Sequence, residues 1–227
     1  MYETVGDLNY CFVYVDDVLI ASTNESEHLK HLEEVYHRFQ RYGLVINAGK
    51  CVFGQPSVKF LGYLISEKEI QPLPYRVKAI NEFQQPKTIK DLRRFLALLN
   101  FYLRFLKNAA HDQSLLSDYL YGAKRNDTRP INWTQEAKLA SESCKNSLAM
   151  STLLVHPSPN ARLSLICDAS DRALGSVLSR EKNGKWKPLA FFSRKLTLAE
   201  QRYSVYDREL LAIYVSVRHF FSYVGRP

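Results

Sequence analysis

The spacing of hydrophobic positions changes several times along the chain, and each change marks a predicted element. Over residues 8–22, Leu8, Tyr10, Phe12 and Tyr14 alternate with Asn9, Cys11 and Val13, which is a strand period. With Val18-Leu19-Ile20-Ala21-Ser22 beyond Asp16-Asp17, the pattern predicts a β-hairpin whose turn carries two acids. After Thr23-Asn24-Glu25-Ser26 the period lengthens. Leu29, Leu32, Val35, Tyr36, Phe39 and Tyr42 recur at three and four, predicting a helix that Gly43 ends in a left-handed cap. Leu44-Val45-Ile46-Asn47 and residues 59–66 predict further short strands.

Pro72-Leu73-Pro74 is a break, with Pro74 suited to a first helical turn. Val77, Ile80 and Phe83 predict a short helix that stops before Pro86. Thr88-Ile89-Lys90-Asp91 predicts a capping box, followed by a helical stripe through Leu92, Phe95, Leu96, Leu99, Tyr102, Leu103 and Leu106. Residues 125–130 form a polar linker, and Trp133-Thr134 opens a helix using Ala137, Ala140, Cys144 and Leu148. His156-Pro157-Ser158-Pro159-Asn160 is a second cluster of breakers and the expected domain boundary. Beyond it come three predicted strands: Leu163 to Cys167 ending at Asp168, Ala173 to Arg180, and Lys185 to Phe192. The last two are joined at the hairpin dipeptide Asn183-Gly184. Thr197-Leu198-Ala199-Glu200 predicts a second capping box before a long helix through Tyr206, Leu210, Ile213, Tyr214, Val217, Phe220 and Phe221. The expected class is therefore mixed α+β.

Composition narrows the partners. At 227 residues and 46% hydrophobic, the chain can bury one large or two small cores. The formal charge of +8 favours a polyanionic partner. The excess is sharpest around the middle helices, where Arg76, Lys78, Lys87, Lys90, Arg93, Arg94, Arg104 and Lys107 face only Glu82 and Asp91. Such a side suits sequence-independent phosphate contacts, and it suits a plain solvated face as well. The four cysteines are scattered without a Cys-x-x-Cys pair, so a disulfide framework is not expected. No apolar run is long enough to predict a membrane span, and the N-terminus lacks a signal-like pattern.

Asp16-Asp17 is the leading candidate for chemistry. Adjacent carboxylates between β-prone segments repel one another, and a bound dication removes that penalty because carboxylate oxygens are preferred ligands of Mg²⁺. A polar hairpin turn is the bland alternative. His28, His31 and His37 share one helix, but no cysteine or carboxylate completes a zinc-type ligand set with them.

In its apolar frame, Tyr14-Val15-Asp16-Asp17 resembles the polymerase motif of reverse transcriptases, and later segments continue the resemblance in order. These are Asn47 with Lys50-Cys51-Val52-Phe53, then Phe60-Leu61-Gly62-Tyr63-Leu64-Ile65-Ser66, then Asp168-Ala169-Ser170-Asp171 with Tyr206-Asp207-Arg208-Glu209-Leu210-Leu211-Ala212-Ile213. The series is most similar to the Pol polyprotein of gypsy-class LTR retrotransposons. The resemblance implies a palm end over residues 1–71, a thumb-like helical region over 72–128, a connection over 129–160 and the first half of a ribonuclease H-like domain over 161–227. It implies metal-holding catalytic roles for Asp16, Asp17, Asp168 and Glu209, with Mg²⁺ or Mn²⁺ as cofactor. It implies nucleic-acid contacts for Tyr14, Lys50, Phe60, Leu61, Gly62, Tyr63, Arg93 and Arg94. Lys50 near the incoming triphosphate and Lys50 as a solvated loop residue remain equal readings. Glu69 and the segment Ala109-Ala110-His111-Asp112-Gln113 depart from the family pattern.

The function implied is two-metal phosphoryl transfer on RNA/DNA template-primer and on RNA–DNA hybrid, with upstream and downstream Pol segments as further partners. Catalytic sites of this type need three or four carboxylates and each site here has two, so the isolated chain is expected to be inactive. A non-catalytic nucleic-acid-binding module is the alternative. A retroelement of this kind is expected in cytoplasmic particles, and no membrane role is expected.

Overall fold

The computed structural model describes residues 1–158 and 160–224. Pro159 of the expected boundary, and residues 225–227 where the chain closes, lie outside the described residues. The chain divides into two compact units, Met1–Leu61 and Gly62–Pro227.

In the first unit a short helix α1 (Tyr2–Val5) leads into β1 (Cys11–Tyr14) and β2 (Asp17–Ile20), which pair antiparallel from Cys11↔Ile20 to Tyr14↔Asp17. The long helix α2 (Glu25–Arg41) follows. Asn24 caps it by accepting from the Glu27 amide. Val35 and Phe39 on its inner face meet Val5, Leu8 and Cys11 to form the unit's core. Gly43, at φ +66°, ends α2, with Gly43 N–H donating to the Gln40 carbonyl and Leu44 N–H to that of Phe39. That pair of bonds is a Schellman cap, and it corrects one expectation. Leu44 belongs to the cap, so no strand forms over residues 44–47. Among the described residues nothing pairs with Val45, which is 96% exposed. A 3₁₀ turn over Ala48–Lys50 and the strand β3 (Ser57–Phe60) complete the unit.

The second unit opens with β4 (Tyr63–Ser66) and β5 (Glu69–Pro72), an antiparallel pair to which β6 (Leu154–Val155) adds through Ile70↔Leu154. β5 occupies a stretch the periodicity left unassigned. Next come α3 (Pro74–Asn81), with Pro74 in its first turn, and α4 (Ile89–Asn100). The Thr88–Asp91 capping box is present in both directions. The apolar stripe expected as one helix through Leu106 is instead broken. α4 ends at Asn100, and a 3₁₀ turn (Leu103–Phe105) carries the same face onward, so Tyr102, Phe105 and Leu106 stay buried. Two short helices, α5 (Ala109–Asp112) and α6 (Ser114–Asp118), and the longer α7 (Gln135–Ala149) close a core around Phe95, Leu99, Leu116 and Leu148.

The remaining residues form an antiparallel sheet in the order β7 (Leu163–Ala169), β8 (Ala173–Lys182), β9 (Lys185–Lys195). Asn183 and Gly184 turn the β8–β9 hairpin at φ +53° and +72°, as their dipeptide predicts. Helix α8 (Val205–His219) lies on one face, burying Ala212 and Ser216. The Thr197–Glu200 box opens only a 3₁₀ turn (Glu200–Arg202). The helix itself starts from a second cap, where Ser204 accepts from the Asp207 amide. Among the described residues no helix is long and apolar enough to cross a membrane.

Candidate active site and nucleic-acid interface

The β1–β2 hairpin is fixed at its base and open at its tip. The Tyr10 hydroxyl donates to Glu34 Oε2 of α2 at 2.6 Å, and its ring stacks on His31 with centroids 3.5 Å apart. Burial, then the hydrogen bond to Glu34, push the Tyr10 phenol well above its ordinary range, while the same hydrogen bond holds the Glu34 carboxyl low. Arg38 completes the anchor with bonds to Glu34, Asp7 and the Thr4 carbonyl. Ser22 Oγ lies 3.0 Å from His28 Nδ1 and 2.9 Å from His31 Nδ1, so these histidines serve the hairpin's base.

At the other end, Val15 and Asp16 make a two-residue turn in which Val15 sits at φ +52°. A β-branched residue in the left-handed region is strained, and such strain tends to collect where function holds a loop in place. Tyr14, Asp16 and Asp17 are all exposed. Neither aspartate makes an ion pair or side-chain hydrogen bond among the described residues, so the four carboxylate oxygens are uncommitted. Lys50, exposed in its 3₁₀ turn, belongs to the same unit, as do half-buried Phe60 and exposed Leu61 (φ +49°).

In the second unit, Gly62 (φ +86°) and Tyr63 pack on the end of α4. The Tyr63 ring stacks on Phe101 at 5.3 Å, and the Tyr102 hydroxyl donates to the Gly62 carbonyl at 3.3 Å. Arg94 is exposed on α4. Arg93 is differently employed, since its Nη2 donates to the Ala123 and Lys124 carbonyls at 3.2 and 3.3 Å. Those bonds hold the loop before Arg129 and leave Arg93 fewer donors for a phosphate.

Asp168 is exposed at the penultimate position of β7, paired with Gly175. A Cβ on Gly175 would stand 3.7 Å from Asn108 Oδ1, and Ser193 in the same row accepts from the Ala110 amide. Asp168 therefore belongs to the α5 face of the sheet. Cys167, one residue earlier, faces α8. Burial raises its thiol pKa, and the nearby Glu209 charge acts in the same direction. Glu209 is half-buried in the second turn of α8, near enough to Cys167 for its charge to act on that thiol. Cys167 as the side chain beside Glu209 was not anticipated from sequence. Its one signal was strand alternation next to Asp168. Among the described residues no group of three or more His, Cys, Asp or Glu side chains is placed to hold a metal ion.

Comparison with known proteins gives this geometry a family. Residues 2–65 match the reverse transcriptase (RNA-dependent DNA polymerase) model, and residues 133–226 match the RNase H-like domain found in reverse transcriptase. The Tf2-3 and Tf2-7 transposon polyproteins of Schizosaccharomyces pombe are each 37% identical over 93% of the chain, which spans 16% of their length. Among solved structures, the foamy viral protease-reverse transcriptase in complex with RNA/DNA hybrid superposes with a TM-score of 0.85 at 23% identity. It covers all of this chain and 30% of that one. The same viral enzyme in complex with dsDNA gives 0.84 at 23% identity over 47% of its chain. The fold is that of the viral enzyme, and the chain belongs to the reverse transcriptase–ribonuclease H region of gypsy-class LTR retrotransposon polyproteins.

Proposed function

We propose that this chain contributes the palm-hairpin aspartates, the duplex-holding helices and the opening half of the nuclease to a retrotransposon RNA-directed DNA polymerase with ribonuclease H. In this reading residues 72–128 act as thumb and 129–160 as connection. The observation that carries it is the pair Asp16 and Asp17, exposed on a strained two-residue turn and bonded to no protein group among the described residues. Their donor chemistry fits Mg²⁺ or Mn²⁺, as does that of Asp168 with Glu209. Bound there, divalent metal supplies a lowered pKa for an attacking primer hydroxyl or water and charge for the leaving oxygen.

The chain's own residues bind and orient. The basic side of α3 and α4 takes backbone phosphates, with Arg94 available and Arg93 partly committed. Exposed Phe12, Val45 and Val52 suit further polyprotein segments as partners. With two carboxylates per site, a metal is held without the paired geometry that catalysis needs, so the isolated chain binds duplex and does not turn over.

The test is titration of an RNA–DNA hybrid against salt, with and without Mg²⁺, alongside primer-extension and hybrid-cleavage assays. Expected are salt-sensitive binding weakened by charge reversal at Arg94, a Mg²⁺-dependent increment lost in Asp16→Asn, and background activity in both assays. Mg²⁺-dependent synthesis abolished by Asp16→Asn would overturn the claim of inactivity. Binding indifferent to EDTA and to Asp16→Asn would favour the non-catalytic binding module.

A further inference from the structure

Gly62 sits where a side chain has no room. A Cβ there would lie 2.8 Å from Phe101 Cζ and 3.4 Å from Arg76 Nη1, and its φ of +86° already favours glycine. Phe101 is the first residue past α4. One side of its ring stacks on Tyr63, and Tyr102 meets it edge-on at 4.9 Å. The Tyr63 hydroxyl donates to the Phe101 carbonyl at 3.2 Å, while the Tyr102 hydroxyl returns a bond to Gly62. These contacts lock the turn carrying Gly62 to the end of the basic helix. Despite this packing, 45% of Phe101 remains open to solvent. Beside it Arg76 is exposed, within hydrogen-bonding range of the Tyr75 and Tyr102 hydroxyls, and pairs with no carboxylate among the described residues. An aromatic ring and an unneutralised guanidinium thus fill the space a Gly62 side chain would take, and the guanidinium stays exposed where a sugar-phosphate chain can reach it.

We propose that Phe101 is a positioning residue that holds the Gly62 turn to the end of α4, and that Arg76 beside it takes one backbone phosphate of the bound duplex. This rests on the duplex-binding reading above. The two residues act by different physics, so they have different signatures. A phosphate contact releases counterions, and its loss changes the salt dependence of binding. A positioning contact changes affinity by the same factor at every salt concentration.

The experiment titrates the full chain with an RNA–DNA hybrid over a series of salt concentrations, with thermal melting of each variant read in parallel. Arg76→Gln is expected to reduce the slope of log K against log salt by about one. Phe101→Ala is expected to weaken binding about tenfold with the slope unchanged, with Phe101→Leu intermediate. Gly62→Ala, which drives a methyl into the ring, is expected to weaken binding in the parent chain and much less when combined with Phe101→Ala. An unchanged slope in Arg76→Gln would overturn the phosphate assignment. Equal costs of Gly62→Ala in both backgrounds, or full affinity in Phe101→Ala, would overturn the positioning role. Absence of salt-sensitive binding in the parent chain would instead sink the duplex-binding reading itself.

Discussion

The first unit and the α4 core of the second handle their apolar residues in opposite ways, although α8 of the second leaves Tyr206, Leu210, Ile213 and Tyr214 exposed. Around α4 the stripe is consumed almost completely: Leu92, Phe95 and Leu99 are each 0% exposed and share one core with Cys144 and Leu148 of α7. In the first, a core of Val5, Leu8, Cys11, Val35 and Phe39 supports the hairpin's base, while Phe12, Tyr14, Val15 and Val52 stay exposed. Stability and chemistry are thus separated. The candidate polymerase carboxylates ride on the thinly packed unit, and the basic helix that would hold a duplex is built into the thickly packed one. Local opening should follow the same division, because elements with few buried apolar contacts open first.

Phe95→Ala breaks this comparison most forcefully. Removing a fully buried aromatic side chain costs about 3–5 kcal/mol. Hydrogen exchange should then show α4 and α7 amides losing protection while the β1–β2 and α2 amides keep theirs. The converse variant, Phe39→Ala, should expose α2 and spare α4. If either substitution strips protection equally from both units, they do not behave as separate bodies.

A smaller effect sharpens the contrast within the second unit. Glu200 accepts two bonds from Arg194, at 3.0 and 2.9 Å, and a third from the Thr197 amide. The Arg194 guanidinium, partly offset by burial, pulls its carboxyl down to about 2. A depressed folded-state pKa contributes stability that is present above the unfolded value and lost as pH falls through the folded one. Glu200→Gln should therefore cost about 2 kcal/mol near neutrality, allowing for partial solvent screening. That cost should shrink progressively from about pH 4.5 downward. Chemical denaturation of both chains across that window checks it, and a cost independent of pH would refute the linkage.

Much of this architecture could be read from residue order because local signals and tertiary packing agreed. Thr88 with Asp91, Thr134 ahead of α7, Asn183-Gly184 and Gly43 each specify a cap or turn through their own backbone chemistry, and each does so here. The misreadings share one cause. Leu44 is apolar because a Schellman cap packs it against the α2 core, and periodicity alone cannot tell that from a strand. β5 is short and mixed in polarity, and it exists because β4 and β6 flank it. The candidate site rests on residue types alone at Asp16, Asp17, Asp168 and Glu209. What could not be read was employment by partners far apart in sequence: Arg93 bound to loop carbonyls thirty or so positions on, and Phe101 set against Gly62.

The smallest effect tests why the acidic tip has its shape. Val15 at φ +52° places a β-branched side chain in the left-handed region, and that side chain is 71% exposed, so it gains little from packing. Glycine adopts this backbone without steric conflict, although it loses more entropy on folding. The strain relieved is about 1–3 kcal/mol and the entropic loss about 1 kcal/mol, so Val15→Gly should leave the first unit equally stable or raise its stability by up to about 2 kcal/mol. A valine held there by tight packing would show the reverse, a clear loss of stability on substitution. If the valine's stiffness instead serves the aspartates, Val15→Gly should stabilise the fold while reducing the Mg²⁺-dependent increment in hybrid binding. Opposite signs in those two measurements would identify the strain as the means by which the turn keeps Asp16 and Asp17 side by side.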